Sequence, residues 1–436
     1  MAPTHRPATA PTTAAAIALT PTDVRLLDAP PILALLRLEG TVGTDAVRRA
    51  VARHVPRRFS AALVPGAGPA GPALRVRDAP GRPGEHPVPV TPVDVAPGAL
   101  DGLLTLNVPV RDLAAIGLGD GLARDPLCTV AHVRDATGDA LAVRLSHAAG
   151  DGLSLLRMLG AIAADLADDP GGQGGPNSQE GPDGQGGPDG QEGHGGPDDP
   201  DAGRTRSAPG RAHRTPARDA SGEPLRASTP TPSGDVASSA TTTAPPDRWL
   251  SVLPLSDDCR AEIADLAAAR VASPTVCRMA VVARRLAPIV RPGGDGLRIR
   301  IPVDLRFRDL GIPADAVGNH WFDALAVFAG APDRLPPAAE IARAIDATIR
   351  ERVALLAPDD VDHLTDVSLR LVRDVEGEPL RRGVDLVHSS LPTPDWPGVR
   401  ALHVLGSALL GVVDQRGSDR VDLVTPQPLP AGVTAL

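Results

Sequence analysis

The stretch from about Asp169 to Pro246 limits what the rest of the chain can build. It is rich in Gly, Pro, Asp, Ser and Thr, and it carries near-repeats such as G-P-D-G-Q-G-G-P-D-G-Q-E-G. So few apolar side chains cannot offset the entropy of ordering the backbone. The sequence therefore predicts a disordered, flexible tether over 169–246. Two parts of similar size remain, 18–168 and 247–436, and each must supply a core. Residues 1–17, rich in Pro, Thr and Ala, are expected to be disordered as well.

Composition narrows the core further. Hydrophobic residues make up 42% of the 436, but aromatic residues only 2%, with no Tyr, so the core is aliphatic. Every basic side chain is Arg. The net charge of -9 is spread along the chain with no basic stripe, which argues against a nucleic-acid partner. Cys128, Cys259 and Cys277 are far apart and odd in number, a pattern of a reducing compartment that fits neither a disulfide framework nor a zinc site. The apolar run Ala14 to Leu19 is too short for a signal-peptide core, and no stretch is long enough for a transmembrane segment. A soluble cytoplasmic protein is expected.

Periodicity places the elements. In the first part, Ile32 to Leu38 reads as a strand, and Thr44 to His54 as a helix burying Ala46, Val47, Ala50 and Val51. Pro65 to Pro83 reads as a Pro- and Gly-rich loop. Leu127 to Val133 and Leu141 to Ser146 read as a hairpin turned by Thr137-Gly138-Asp139. After Gly152 the period becomes helical, with Leu153, Leu155, Leu156, Leu159, Ile162, Ala163 and Leu166 on one face. In the second part, strands are expected at Trp249–Pro254, Leu297–Val303, Ala324–Ala329, Val384–His388, Ala401–Leu405, Ala408–Asp414 and Arg420–Val424. Helices are expected at Asp257–Val271, Pro274–Val290, Pro337–Leu356 and Val361–Val372, with Ser273 and Pro274 as a start signal. Both parts are α+β, and the cleft between them is the natural place for a site.

One run stands at the junction of strand and helix. His147-Ala148-Ala149-Gly150-Asp151-Gly152 spaces an imidazole four positions before a carboxylate. A His just past a strand end can point its ring into a cleft from a fixed backbone, as a general base requires. A buried Asp151 needs a cation or several donors, and Gly152 lets the turn close without a Cβ clash. The same residues also fit a plain task, a satisfied His at a strand end and an Asp capping a helix. His132 and His403 fall inside strands and read as structural. Trp321 and Trp396 read as core filling in a chain short of aromatics, although G-N-H-W could line a channel.

In context, the chain resembles the acyl-CoA- or carrier-dependent acyltransferases with the chloramphenicol-acetyltransferase-like fold. That group includes condensation domains, plant BAHD acyltransferases, polyketide-associated acyltransferases and wax ester synthases. The resemblance rests on Ser146 to Gly152 and on further segments in order. These are L-T-P-T-D-V-R-L-L-D at 19–28, P-L-C-T-V-A-H-V with A-L-A-V-R-L-S-H, Val303 to Arg308 (V-D-L-R-F-R), Gly318-Asn319, and H-S-S-L-P-T-P-D-W-P-G from His388.

The resemblance implies two lobes, 18–168 and 247–436, each a mixed sheet with helices, with a tunnel between them. It implies transfer of an acyl group from a thioester to a hydroxyl or amine of a small-molecule acceptor, in secondary or lipid metabolism. His147 is then the base, and Asp151 pairs with an Arg of the second half, Arg306 ahead of Arg308 and Arg300. No cofactor is bound permanently; acyl-CoA or the phosphopantetheinyl thioester of an acyl carrier protein is the co-substrate. The chain departs from the pattern at two places. Ser146 stands where some relatives have a first His. Ser390 and Leu391 stand where an Asn that helps hold the oxyanion is common, with Ser389, Ser390 or Asn319 as substitutes. Two other readings of the same fold stay open: a condensation-like enzyme turned to another reaction such as cyclisation, and a non-catalytic scaffold.

Overall fold

The computed structural model describes residues 16–168, 247–356 and 384–436, apart from 21–22, 25, 28, 69–70, 76–87, 104, 106, 119–125, 291–293, 295, 307–309, 355, 393–394, 407 and 409. The expected tether, the expected helix at 361–372 and Arg308 lie outside the described residues. So do residues 1–15; Ala16 and Ile17, expected to be disordered, form a strand with Ala18.

The first part runs β1 (Ala16–Ala18), β2 (Ile32–Leu38), α1 (Thr44–His54), β3 (Ala62–Gly68), β4 (Gly71–Arg75), β5 (Val90–Asp94), β6 (Val108–Pro109), β7 (Cys128–Asp135), β8 (Gly138–Leu145) and α2 (Gly152–Ala167). The second runs β9 (Trp249–Pro254), α3 (Asp257–Ala268), α4 (Pro274–Val290), β10 (Gly296–Asp304), β11 (Trp321–Ala329), α5 (Ala338–Ala354), β12 (Val384–Leu391), β13 (Val399–Leu405), β14 (Gly411–Gln415) and β15 (Arg420–Thr425). Among the described residues they form a five-stranded sheet in the order β13-β2-β8-β7-β5, a seven-stranded sheet β11-β10-β12-β14-β15-β9-β6, and a three-stranded sheet β1-β4-β3. No helix among the described residues is long and apolar enough to cross a membrane.

The expected division at the tether is not a division between the sheets. β13, from the second part, pairs with β2 in the five-stranded sheet, His403 opposite Leu35. β6, from the first part, pairs with β9 at the edge of the seven-stranded sheet. Side chains pin the crossing strand. Asp422 Oδ2 accepts from the Val404 N–H at 3.0 Å, its Oδ1 lies 3.0 Å from His403 Nδ1, and Gln415 donates to the Leu402 carbonyl at 2.6 Å. The backbone of 62–75 also departs from expectation: it forms the hairpin β3–β4 where a loop was predicted. Pro65 falls in the interval where the register shifts, between Val64 and Gly68, a place where a strand tolerates a residue without an N–H. The β7–β8 hairpin turns one residue earlier than predicted, at Ala136-Thr137. Gly138 takes φ +137°, with the Leu38 carbonyl 3.3 Å from where a Cβ would stand.

Alternation decides which face of each strand meets the space between the sheets. Leu297, Ile299, Ile301 and Val303 of β10 pack with α4 and α5 into one aliphatic core. The even residues of β10 point the other way. β2 is buried on both faces, as expected of a central strand. Its Ile32, Ala34 and Leu36 join a second core with α1 and α2, while Leu33 and Leu35 join a third with Leu250 and Leu405.

Candidate functional site

The motif loop leaves β8 at Leu145 and enters α2 at Gly152. The Ser146 N–H donates to the Leu127 carbonyl at 2.7 Å, and the Ala149 N–H to the Ser146 carbonyl at 2.9 Å, which turns the chain. Ser146 is buried and outside the cavity walls described below, so its part here is to close the strand end. Asp151 caps α2, its Oδ1 accepting from the Ser154 N–H at 2.9 Å.

The second half completes that carboxylate. Arg306 Nη2 donates to both oxygens of Asp151, at 3.1 and 2.9 Å, and the His320 N–H reaches Oδ2 at 3.3 Å. Both oxygens are thus occupied, and Asp151 is a structural partner in this geometry. Arg306 is buried and fully engaged. Nε donates to the Ala316 carbonyl, Nη1 to Asp304, and Nη2 also to Ser154 Oγ and the Gly318 carbonyl, all at 2.9–3.0 Å. Arg300, a rival for this pairing, instead lines the cavity.

A second brace holds the same loop from the other side. Asn319 Nδ2 donates to the His147 carbonyl at 2.7 Å and to Asp23 Oδ1 at 2.9 Å. Arg58 Nε donates to the Ala149 carbonyl at 2.8 Å, and its Nη2 to the Ala148 carbonyl at 3.2 Å and to Asp23 Oδ2. Three consecutive carbonyls are therefore fixed by two side chains that meet on one buried carboxylate. Thr20 holds Asp23 in turn, its N–H donating to Oδ2 at 2.9 Å. Asn319, a candidate for the oxyanion, spends its amide here and does not line the cavity. Sequence reasoning quoted the segment around Asp23 but gave it no task, and missed Arg58 altogether.

With its backbone locked, His147 presents its ring to a cavity of about 490 Å³ between the two sheets. Nδ1 is buried and makes no hydrogen bond of good geometry among the described residues. Burial pushes the ring's pKa below the ordinary histidine value, against the opposing pull of its own carbonyl, Asp151, Asn319 and Asp23. Trp321 lies beside it, ring centroids 6.0 Å apart. Trp321 thus lines the cavity and is not core filling; Phe322, its neighbour in β11, takes the buried place. Trp396 does pack as predicted, against the second core and over Gly160. His132 bridges Thr44 and Asp139, and His403 meets Asp422, both structural. His388 is buried near Asp414 at 3.7 Å, away from the cavity walls. Ser389 and Ser390 both line the cavity, and Ser390 Oγ is buried with no partner among the described residues.

The glycine reading needs correction. Gly152 has no positive φ, and a Cβ there would meet only Leu391, at an ordinary 3.6 Å. The tight position is Gly150, where a Cβ would lie 2.8 Å from Phe59 Cε1. Gly150→Ala is expected to cost about 1–3 kcal/mol of stability through overpacking, and Gly152→Ala almost none. Urea-unfolding midpoints of the two variants check this; equal losses would contradict it.

Known structures share this fold. Polyketide synthase associated protein 5 from Mycobacterium tuberculosis superposes with a TM-score of 0.52 over 95% of this chain and 93% of that one, at 14% identity. The first condensation domain of the CDA synthetase gives 0.58 over 97% and 93%, at 14% identity, and vinorine synthase 0.55 over 95% and 92%, at 15%. The chain has the chloramphenicol-acetyltransferase-like fold. No protein-family model and no curated protein sequence matches it. Within this fold the two sheets form a mixed pair that is not closed into a barrel. The cavity lies between them, where the resemblance implied a tunnel.

Proposed function

We propose that the protein is an acyltransferase that moves an acyl group from a thioester to a hydroxyl or amine. The observation that carries the reading is His147, an imidazole whose pKa burial lowers, on a locked backbone at the wall of a cavity shared by both sheets. A neutral ring in such a place can take the acceptor's proton. The acceptor oxygen or nitrogen then attacks the thioester carbonyl, and a tetrahedral oxyanion forms. When the carbon–sulfur bond breaks, the imidazolium returns the proton to the departing thiolate, and free thiol and ester or amide are released. Donation to the oxyanion is assigned to Ser390 Oγ, a reading supported by its burial without a partner among the described residues and by its place in the cavity lining. Asp151 and Arg306 join the two halves around the loop and take no part in proton transfer.

The donor is an acyl-CoA or an acyl group on a phosphopantetheinyl carrier protein, and nothing permanent need be bound for this chemistry. Cys128, Cys259 and Cys277 are buried, free thiols, that of Cys128 pushed up to about 12 by burial, which supports a reducing cytoplasm. The test is thiol release from acyl thioesters by the full-length protein, with products identified by mass spectrometry. His147→Ala is expected to lower turnover about 10²–10⁴-fold while keeping the circular dichroism spectrum and unfolding midpoint. Undiminished turnover by that variant would mean that His147 is dispensable, as a scaffold or a different chemistry requires.

A further inference from the structure

The cavity changes character across the seven-stranded sheet that forms its floor. At the β11 and β10 side the lining is charged: Asp323, Arg300 and Asp304. Asp304 Oδ2 is buried there with no partner among the described residues. From β12 onward the lining turns mostly aliphatic, with Ser389, Ser390 and Arg416 as its polar members. Val387 sits in register between Arg300 of β10 and Gly411 of β14, and Leu391, Val413 and Val424 continue across β12, β14 and β15. Ile32 of β2 and Val404 of β13 line the cavity from the five-stranded sheet.

The base stands at the charged end. Trp321, beside His147, heads β11 and pairs with Asp304 across to β10. The aliphatic end therefore leads away from the base. A walled apolar space of this kind gains nothing from water and gains dispersion contacts from a hydrocarbon.

We infer that one substrate carries an aliphatic chain on its reacting group, with that group under His147 and the chain laid over β12, β14 and β15. This rests on the acyl-transfer reading. An acetyl group would leave the aliphatic end without a partner. A hydrocarbon chain has two possible sources, the acyl donor or the acceptor, and both present the same chemistry to these walls.

The experiment has two arms on the full-length protein. One compares acetyl-, octanoyl- and palmitoyl-CoA with a fixed acceptor. The other compares ethanol and octanol with a fixed donor. In one arm the longer chain is expected to win by at least about tenfold in kcat/KM, since each methylene removed from water adds to binding. Val387→Phe narrows the aliphatic end and is expected to lower kcat/KM for the long chain about tenfold more than for the short one. Equal use of short and long chains in both arms, or an equal loss for both in Val387→Phe, would overturn the inference. Calorimetric titration of octanoyl-CoA and acetyl-CoA, and of octanol, into the His147→Ala protein separates binding from turnover. Chain-dependent binding without any turnover by the wild type would sink the acyl-transfer reading and leave the chain site standing. Absence of chain-dependent binding would remove the chain site itself.

Discussion

Arg306→Ala is expected to cost about 3–5 kcal/mol of stability, because it strips the cation from a buried carboxylate. Asp151 would keep the Ser154 and His320 N–H donors, but its charge would have no counterion on the far side of the loop. The Ala316 carbonyl would lose the Nε donor, and the Gly318 carbonyl would keep only the Ser154 hydroxyl. Arg306→Lys is expected to recover little. One ammonium cannot span the acceptors that Nε, Nη1 and Nη2 reach from a single planar group. Pairing Arg306→Met with Asp151→Leu should cost less than the two single changes added together, since the second removes the charge that the first strands. Urea-unfolding midpoints of the four proteins measure this. Additive losses would mean that the contact between the two halves carries no coupling.

Asp23→Asn is expected to reduce kcat about tenfold to a hundredfold while leaving KM for the thioester nearly as it was. The substitution keeps the shape but removes the charge on which Arg58 and Asn319 converge. Those two residues hold the carbonyls of His147, Ala148 and Ala149, so the loss appears as a shift of the base. A displacement of about 1 Å at a reacting group costs on the order of 10² in rate. Asp23 does not line the cavity, which is why ground-state binding should be spared. A stability loss with kcat unchanged would reduce Asp23 to an ordinary structural residue. Full kcat in Asp23→Glu, which keeps the charge but displaces it, would mean that charge alone, without its placement, is enough.

Much of the site was legible from local pattern. The switch from period two to helical period across Ser146 to Gly152 placed His147 at a junction, and the structure puts it there. Arg306 came from a segment resemblance and not from periodicity, since its partner lies 155 residues away. The Asp23 brace was hidden for the same reason. Asp23 and Asn319 are 296 residues apart, and no local signal encodes such a pairing. The exchange of β13 and β6 between the sheets is likewise a matter of topology, which a division by composition could not show. Trp321 was misplaced although a signal existed. Phe322, Ala324, Ala326 and Phe328 alternate into the core, which turns Trp321 and Asp323 to the opposite face. The scarcity of aromatics was the weaker guide.

The pH dependence of kcat/KM tests the central claim, that His147 is neutral and takes the acceptor's proton. The folded ring binds a proton less readily than the ordinary histidine value of about 6.5 allows, because burial outweighs the nearby carboxylates. In the unfolded chain the ring charges near that value. Protonation therefore works against the folded state below about pH 6.5, and the ring stays neutral above it. The profile should show a plateau through neutrality and a one-proton acid limb with its midpoint below 6.5. In Asp23→Asn, loss of a nearby negative charge should move that limb to still lower pH. A midpoint at or above 6.5, or an acid limb that survives unchanged in His147→Ala, would contradict the account.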